Sequence, residues 1–210
     1  MTLRIEVWSD VVCPWCYIGE HRLALAVERS GVAVDVVWRP FQLDPRAPAE
    51  PQPVVEAYAR KFGGPEAARR VIERITDAAR ADGLELRLDR AQRANTFDAH
   101  RLMAWARPRG RQSEVGMRLF RAYFVEGRNV ADHAVLAEVA EAAGLPGSEA
   151  TAMLASGECA GEVREQLARA DELGISAVPS FLFPNGFVLP GAQDPAVFER
   201  IFTKLAARAG

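Results

Sequence analysis

The sequence predicts an α/β domain interrupted by an all-helical insertion. Three observations carry this reading. Leu3, Ile5 and Val7 alternate with Arg4 and Glu6, and a β-branched run follows at 32–40, with a helical pattern between them. Helical patterns then fill the chain until strand patterns return near residue 180. The closing segment reads as two strands and a helix. Strands that return only after the helical block make the block an insertion into one domain rather than a free second domain. The expected boundaries are 1–45 and 174–210 for the discontinuous α/β domain, with 46–173 as the helical insertion and connecting helix.

Alternation of period two places the first strand from Leu3 to Trp8 or Asp10. Ile18, Leu23, Leu25 and Val27 recur with helical spacing up to Gly31, a stop signal. Val32 to Pro40 reads as a second strand, so 3–40 forms a β-α-β unit with parallel strands and a right-handed crossover. A proline-rich segment runs from Pro45 to Pro53. Helices are expected at 54–62, 65–82, 96–106, 111–126, 132–143, 148–156 and 162–173, punctuated by glycines and, at Pro65, opened by a proline suited to a first helical turn. Ser180–Phe183 and Phe187–Leu189 flank Pro184-Asn185-Gly186, a hairpin signal that makes these strands antiparallel. Asp194-Pro195 opens the last helix, with Asp194 as N-cap and Val197, Phe198, Ile201, Phe202 and Leu205 on its buried face.

The chain has 210 residues, 49% hydrophobic and 26% charged, with a net charge of −2 and no clustering of Lys and Arg. This gives no electrostatic case for nucleic acid. The N-terminal MTLRIEVWSD lacks the apolar core and small-residue cleavage site of a secretory leader. No run approaches the ~18 apolar residues that span a bilayer. The expected compartment is the cytoplasm, and no membrane partner is expected.

Two of the three cysteines lie in SDVVCPWCYIG, at the first strand-to-helix junction. A close pair in a reducing compartment points to redox or metal chemistry before a structural bridge. Structural zinc needs four ligands, and Cys159, His21, His100 and His133 supply no second spaced pair. Redox chemistry fits the junction better. Cys13 falls at the helix N-terminus, where unpaired N–H groups and the macrodipole favour a thiolate. Cys13 is therefore expected to be the exposed attacking thiol and Cys16, one turn inside, the resolving thiol. Pro14 suits the first turn because its missing N–H would have no partner there. Trp15 shapes the site sterically.

SDVVCPWCYIG, NTFDAHRL at 95–102, GISAVPSFLF at 174–183 and GAQ at 191–193 together resemble the DsbA family of thioredoxin-fold oxidoreductases, and more narrowly its FrnE-like branch. The resemblance covers nearly the whole chain. It implies a thioredoxin-like fold and thiol-disulfide exchange through Cys13 and Cys16. It implies that Pro179 follows a cis bond and lies against the cysteines, with Val178 offering its backbone to an extended substrate; the local alternative is an ordinary strand-initiating proline. It places Asn95, His100 and Gln193 near the substrate groove. Locally, Asn95 or Thr96 reads as a helix cap, His100 as a partly buried polar residue, and Gln193 as a loop residue. No metal and no bound organic cofactor is required, because the electrons reside in the Cys13–Cys16 pair. Glutathione, protein disulfides and small thiols are the expected exchange partners.

Glutathione-dependent isomerases and kappa-class glutathione transferases share this architecture but typically carry serine at the position of Cys13. An isomerase or transferase acting on a small aromatic substrate is thus the alternative, and Cys13 weighs against it. FrnE-like proteins that carry a second cysteine pair differ from this chain, whose Cys159 stands alone and reads as a packed thiol.

Overall fold

A computed structural model describes residues 2–48 and 52–207. Strand β1 (Leu3–Ser9) buries Leu3, Ile5 and Val7 on one face and Trp8 on the other. Helix α1 (Pro14–Ser30) begins with proline at its first turn and ends at Gly31, whose φ of 64° fits the left-handed stop. Strand β2 (Val34–Pro40) pairs parallel to β1, from Leu3 opposite Val34 to Ser9 opposite Pro40.

Past residue 41 come β3 (Gln52–Pro53), α2 (Val54–Phe62), α3 (Pro65–Ala81), β4 (Gln92–Arg93), α4 (Phe97–Ala106), α5 (Gln112–Phe124), α6 (His133–Ala142), α7 (Gly147–Ala155) and α8 (Ala160–Glu172). The helices fall within two residues of the expected positions. The two-residue ribbon formed by β3 and β4 was not expected, because Gln52–Pro53 lies in the proline-rich segment. Its pairing is antiparallel, with Gln52 opposite Arg93, and two residues carry too little periodicity to be read from sequence. Pro51, in the same segment, lies outside the described residues.

Strands β5 (Ser180–Leu182) and β6 (Val188–Pro190) form the expected hairpin, with Gly186 at φ 81° in its turn. Helix α9 (Pro195–Ala207) is capped by Asp194, whose Oδ1 accepts from the Ala196 N–H at 2.9 Å. The sheet order is β2-β1-β5-β6, with β5 antiparallel to β1. This is the thioredoxin-like arrangement, mixed α/β and rich in helix.

Each face of the sheet is covered. Phe181 meets Phe198 of α9 edge-on at 4.9 Å, and α1 lies beside α9. On the opposite face α8 packs Ala170 against Trp8. The outer edge of β2 is closed by a side chain that imitates a strand: Gln112 accepts from the Trp38 N–H at 3.1 Å and donates to the Trp38 carbonyl at 3.2 Å. That blocks pairing with another chain along this stretch. The insertion is anchored to α1 by aromatic contact, with Tyr17 stacked on Phe120 at 5.2 Å and on Phe124 at 5.8 Å.

An ion triad fastens α8 to the sheet. Glu6 receives Arg39 Nε and Arg169 Nη1, both at 2.6 Å. Burial alone would raise the Glu6 carboxyl, but the hydrogen bonds from Arg169 and Arg39 outweigh it and hold it below its ordinary value. A lowered carboxylate pKa contributes stability above the ordinary carboxylate range and loses it as pH falls through the folded-state value. Glu6→Gln is therefore expected to cost about 1–3 kcal/mol near neutral pH. Urea unfolding curves of the variant and the wild type should converge in acid.

Candidate active site

The reactive end is assembled where β1 hands over to α1. Cys13 takes an extended conformation, φ −91° and ψ 114°, as the residue capping α1. Its N–H donates to the Asp10 carbonyl at 2.9 Å, and its own carbonyl accepts from the Cys16 N–H at 3.0 Å. Pro14 takes the first helical position, where no N–H is missed. Both thiols are free.

The expectation that Cys13 is exposed is corrected. Cys13 is 4% exposed and Cys16 1%. Cys13 instead opens into a groove of about 820 Å³ between the reactive loop and the helical insertion, lined also by Pro14, Trp15, Tyr58, Tyr123 and Val178. The Val178 carbonyl approaches the Cys13 sulfur, and Tyr58 of α2 lines the same groove. Cys16 does not line this groove. Burial pushes the Cys16 thiol well up, and the adjacent Cys13 adds to this. Ser9 and the Asp10 backbone oppose the shift. Cys16 is thus a protonated thiol in the resting site.

The Val178–Pro179 peptide bond is cis. The Cys13 thiol faces the Val178 carbonyl at 3.8 Å, across 165 residues of sequence. Two neighbours fix this loop: Ser180 Oγ donates to the Ala177 carbonyl at 2.8 Å, and the Gly191 N–H donates to the Pro179 carbonyl at 2.7 Å. The approach of Pro179 to α1 depends on Gly19. A Cβ there would lie 2.9 Å from Pro179 Cγ and 3.5 Å from the Ala192 backbone.

Asn95, His100 and Gln193 support the groove without lining it. Asn95 Oδ1 accepts from the Phe97 N–H at 3.0 Å, which makes Asn95 rather than Thr96 the side chain that caps α4. The same oxygen accepts from Gln42 Nε2 at 3.1 Å, and Asn95 Nδ2 donates to the Pro45 carbonyl at 2.9 Å. His100 is buried, with Nε2 2.9 Å from the Phe41 carbonyl and 3.6 Å from Asp10 Oδ1. The second Asp10 oxygen accepts from the Leu43 N–H at 2.7 Å. All three side chains therefore hold the 41–45 loop, of which Leu43 and Asp44 form part of the groove wall. Gln193 Nε2 donates to the Pro190 carbonyl at 2.6 Å and steadies the turn that carries Gly191.

Sequence reasoning missed Ser9, Asp10, Gly19, Tyr58 and Tyr123. The first three all stand inside SDVVCPWCYIG; Ser9 acts on nearby Cys16, whereas Asp10 and Gly19 meet distant segments, Leu43 and His100 for one and Pro179 for the other. Tyr58 belongs to α2, and no local pattern links it to the cysteines. Its phenol is pushed up to about 12, by burial first and by neighbouring Cys13 second, so it remains a neutral O–H donor beside the groove. Burial raises Tyr123 as well. Cys159, half-buried with φ 61°, lies at the start of α8, away from the groove lining.

A family model described as the DSBA-like thioredoxin domain matches residues 4–203. The chain belongs to this family. YwbO of Bacillus subtilis (strain 168), an uncharacterized protein, is 29% identical over 202 residues, covering 95% of this chain and 96% of YwbO. Among solved structures, a probable DsbA oxidoreductase from Streptomyces coelicolor superposes with a TM-score of 0.88 at 36% identity, over 96% of this chain and 89% of that one. DsbM of Pseudomonas aeruginosa, described as a cytosolic disulfide reductase and solved also with GSH, shares the fold at a TM-score of 0.67 and 23% identity, over 99% of this chain and all of that one (100%). In this DSBA-like chain no described helix is long and apolar enough to cross a membrane. Among the described residues no group of three or more His, Cys, Asp and Glu side chains is placed to hold a metal.

Two outcomes follow for α1. Gly19→Ala should displace the 178–179 loop from Cys13, lowering stability by about 1–3 kcal/mol and slowing disulfide exchange. Denaturation and exchange kinetics check this. Glu20, one turn beyond Cys16, is buried with Oε2 unpartnered among the described residues, and burial pushes its carboxyl up to about 8. A raised carboxyl pKa favours the fold while protonated, and this contribution is lost as pH rises from its ordinary range to the folded-state value. Glu20→Gln should therefore lose less Tm than the wild type between about pH 5 and about pH 9.

Proposed function

We propose that this DSBA-like protein is a thiol-disulfide oxidoreductase of the FrnE-like type that works through Cys13-Pro14-Trp15-Cys16. The observation that supports it best is the division of labour between two free thiols. Cys13 opens to the groove at the start of α1, while Cys16 lies behind it and away from substrate.

The Cys13 thiolate attacks one sulfur of a substrate disulfide. A Cys13–substrate disulfide forms, the substrate S–S bond breaks, and the other substrate sulfur leaves as a thiolate. Cys16 then gives up its proton and attacks the Cys13 sulfur. The Cys13–Cys16 disulfide forms and the second substrate thiolate departs. The substrate has gained two electrons, and the cysteine pair has lost them. An external thiol such as glutathione returns the pair to the dithiol form, and the reverse sequence oxidises a substrate dithiol.

In this reading Pro14, Trp15 and Val178 line the groove, Pro179 behind them holds Val178 in place, and the neutral Tyr58 O–H in the lining can solvate a departing thiolate. Asn95, His100 and Gln193 are positioning residues that keep the groove walls in place. No bound organic cofactor and no metal takes part. The reading extends to a cytoplasmic location and to protein or small-molecule thiols and disulfides as partners, supported by the shared fold of a cytosolic reductase solved with GSH. At a cytosolic glutathione poise of roughly −220 mV or below, reduction or isomerisation would be favoured over net oxidation. Cys13 in place of serine favours exchange over a glutathione-dependent isomerase.

Turnover of a peptide disulfide in glutathione buffer tests the assignment. Cys13→Ser should abolish exchange. Cys16→Ser should stall at a mixed disulfide on Cys13, visible by mass. Full turnover by Cys13→Ser would overturn the role of Cys13 and favour the isomerase reading.

A further inference from the structure

The chain carries a net charge of −2, yet the groove beside Cys13 is rimmed by cations. Among the described residues Arg60 and Lys61 from the last turn of α2, Arg74 from α3 and Arg93 from β4 line it, against one carboxylate, Asp44. That carboxylate is already engaged, since Arg93 Nη2 binds Asp44 Oδ2 at 2.6 Å. Arg60 has a carboxylate neighbour in Glu56, at 3.9 Å, and both side chains are more than half exposed. Such a contact holds its charge loosely. Lys61 and Arg74 are exposed and make no ion pair among the described residues. The same lining holds Val12, Val54, Ile75 and Val178, and the hydroxyl-bearing Tyr58, Tyr123 and Ser176.

This juxtaposition has a chemical meaning. The reacting sulfur shares this groove with three weakly paired cations, all carried by helices of the insertion. A substrate segment lying from Val178 toward α3 would place its disulfide on Cys13 and its flanking residues beneath Arg60, Lys61 and Arg74. Carboxylates at those flanks would be attracted, and ammonium or guanidinium groups repelled. A cleft lined by one sign of charge raises the encounter rate of the opposite sign by tenfold or more. The groove, about 820 Å³, is open to solvent, so a short extended segment can lie along it.

We propose that the helical insertion makes the enzyme selective for disulfides carried in acidic peptide segments, with Lys61 and Arg74 as the main specificity-determining residues. The proposal rests on the exchange reading above and adds the class of substrate.

Two peptides test it, identical around one disulfide but flanked by Glu in one and Gln in the other. The reduced wild-type protein is mixed with each, and the second-order rate of thiol release is followed at low and high salt. The expected rate ratio, Glu over Gln, is about tenfold at low salt and shrinks toward one as the Debye length falls to about 3 Å at 1 M. The double variant Lys61→Gln/Arg74→Gln should cut the low-salt ratio by about threefold or more. Arg200→Gln, an exposed change on α9 that alters net charge but not the groove, should leave the ratio in place. Equal reduction of both peptides overturns the proposal and leaves the exchange reading standing. A ratio that survives in the double variant overturns the assignment to these residues. A charge preference confined to oxidised glutathione, absent from the peptides, overturns the assignment to a peptide segment. Reduction of neither peptide overturns the exchange reading, and the proposal with it.

Discussion

Pro179 packs against the second turn of α1, and the geometry of the reactive end depends on that contact. It puts the Val178 carbonyl 3.8 Å from the Cys13 thiol and closes one wall of the groove. Two features make the contact possible. The antiparallel pairing of β5 with β1, Val7 opposite Phe181, carries the loop across the sheet to the start of α1. Gly19 then leaves room, since a methyl group in its place would meet Pro179 Cγ at 2.9 Å. Backbone pairing thus sets the register, and the absence of one side chain sets the distance. Neither the thiols nor the groove residues could supply either.

Around this contact the chemistry of the two cysteines diverges although they lie three residues apart. Cys13 caps the helix and faces the groove, whereas Cys16 lies within the first turn, sealed from solvent. Desolvation is the larger influence on Cys16, and the Ser9 and Asp10 groups beside it oppose only part of the shift. The protonated state of Cys16 follows from burial and needs no dedicated acid. Positioning residues extend the arrangement outward. Asp10, His100 and Asn95 hold the 41–45 loop, while Gln193 holds the turn whose Gly191 binds Pro179.

Much of this was legible in the sequence because it is local. The period-two run at 3–7, the stop at Gly31, the Asn185-Gly186 turn and the Asp194-Pro195 helix start each encode their structure within a few residues. The position of Cys13 and Cys16 at a strand-to-helix junction is likewise local. The unread parts are those that depend on distant partners. Cys13 meets the Val178 carbonyl from 165 residues away and shares its groove with Tyr58 of α2. The use of Gln112 as a surrogate strand edge depends on β2, and the placement of Tyr58 on the folding of the insertion across the groove. Asn95 lies between these cases: its role as a cap is local, and its hold on Gln42 and Pro45 is not. The two-residue β3–β4 ribbon is too short to leave a periodic trace.

Cys13 and Cys16 are expected to act as one two-electron redox unit. The most direct measurement is the equilibrium of the pair in graded glutathione buffers, read by thiol trapping. The account predicts a single cooperative transition from dithiol to internal disulfide, with little glutathione retained on Cys13, because Cys16 resolves the mixed species. On that scale about 30 mV corresponds to about 1.4 kcal/mol for a two-electron couple. A pair that never closes, or that accumulates a stable glutathione adduct at Cys13, would contradict the account.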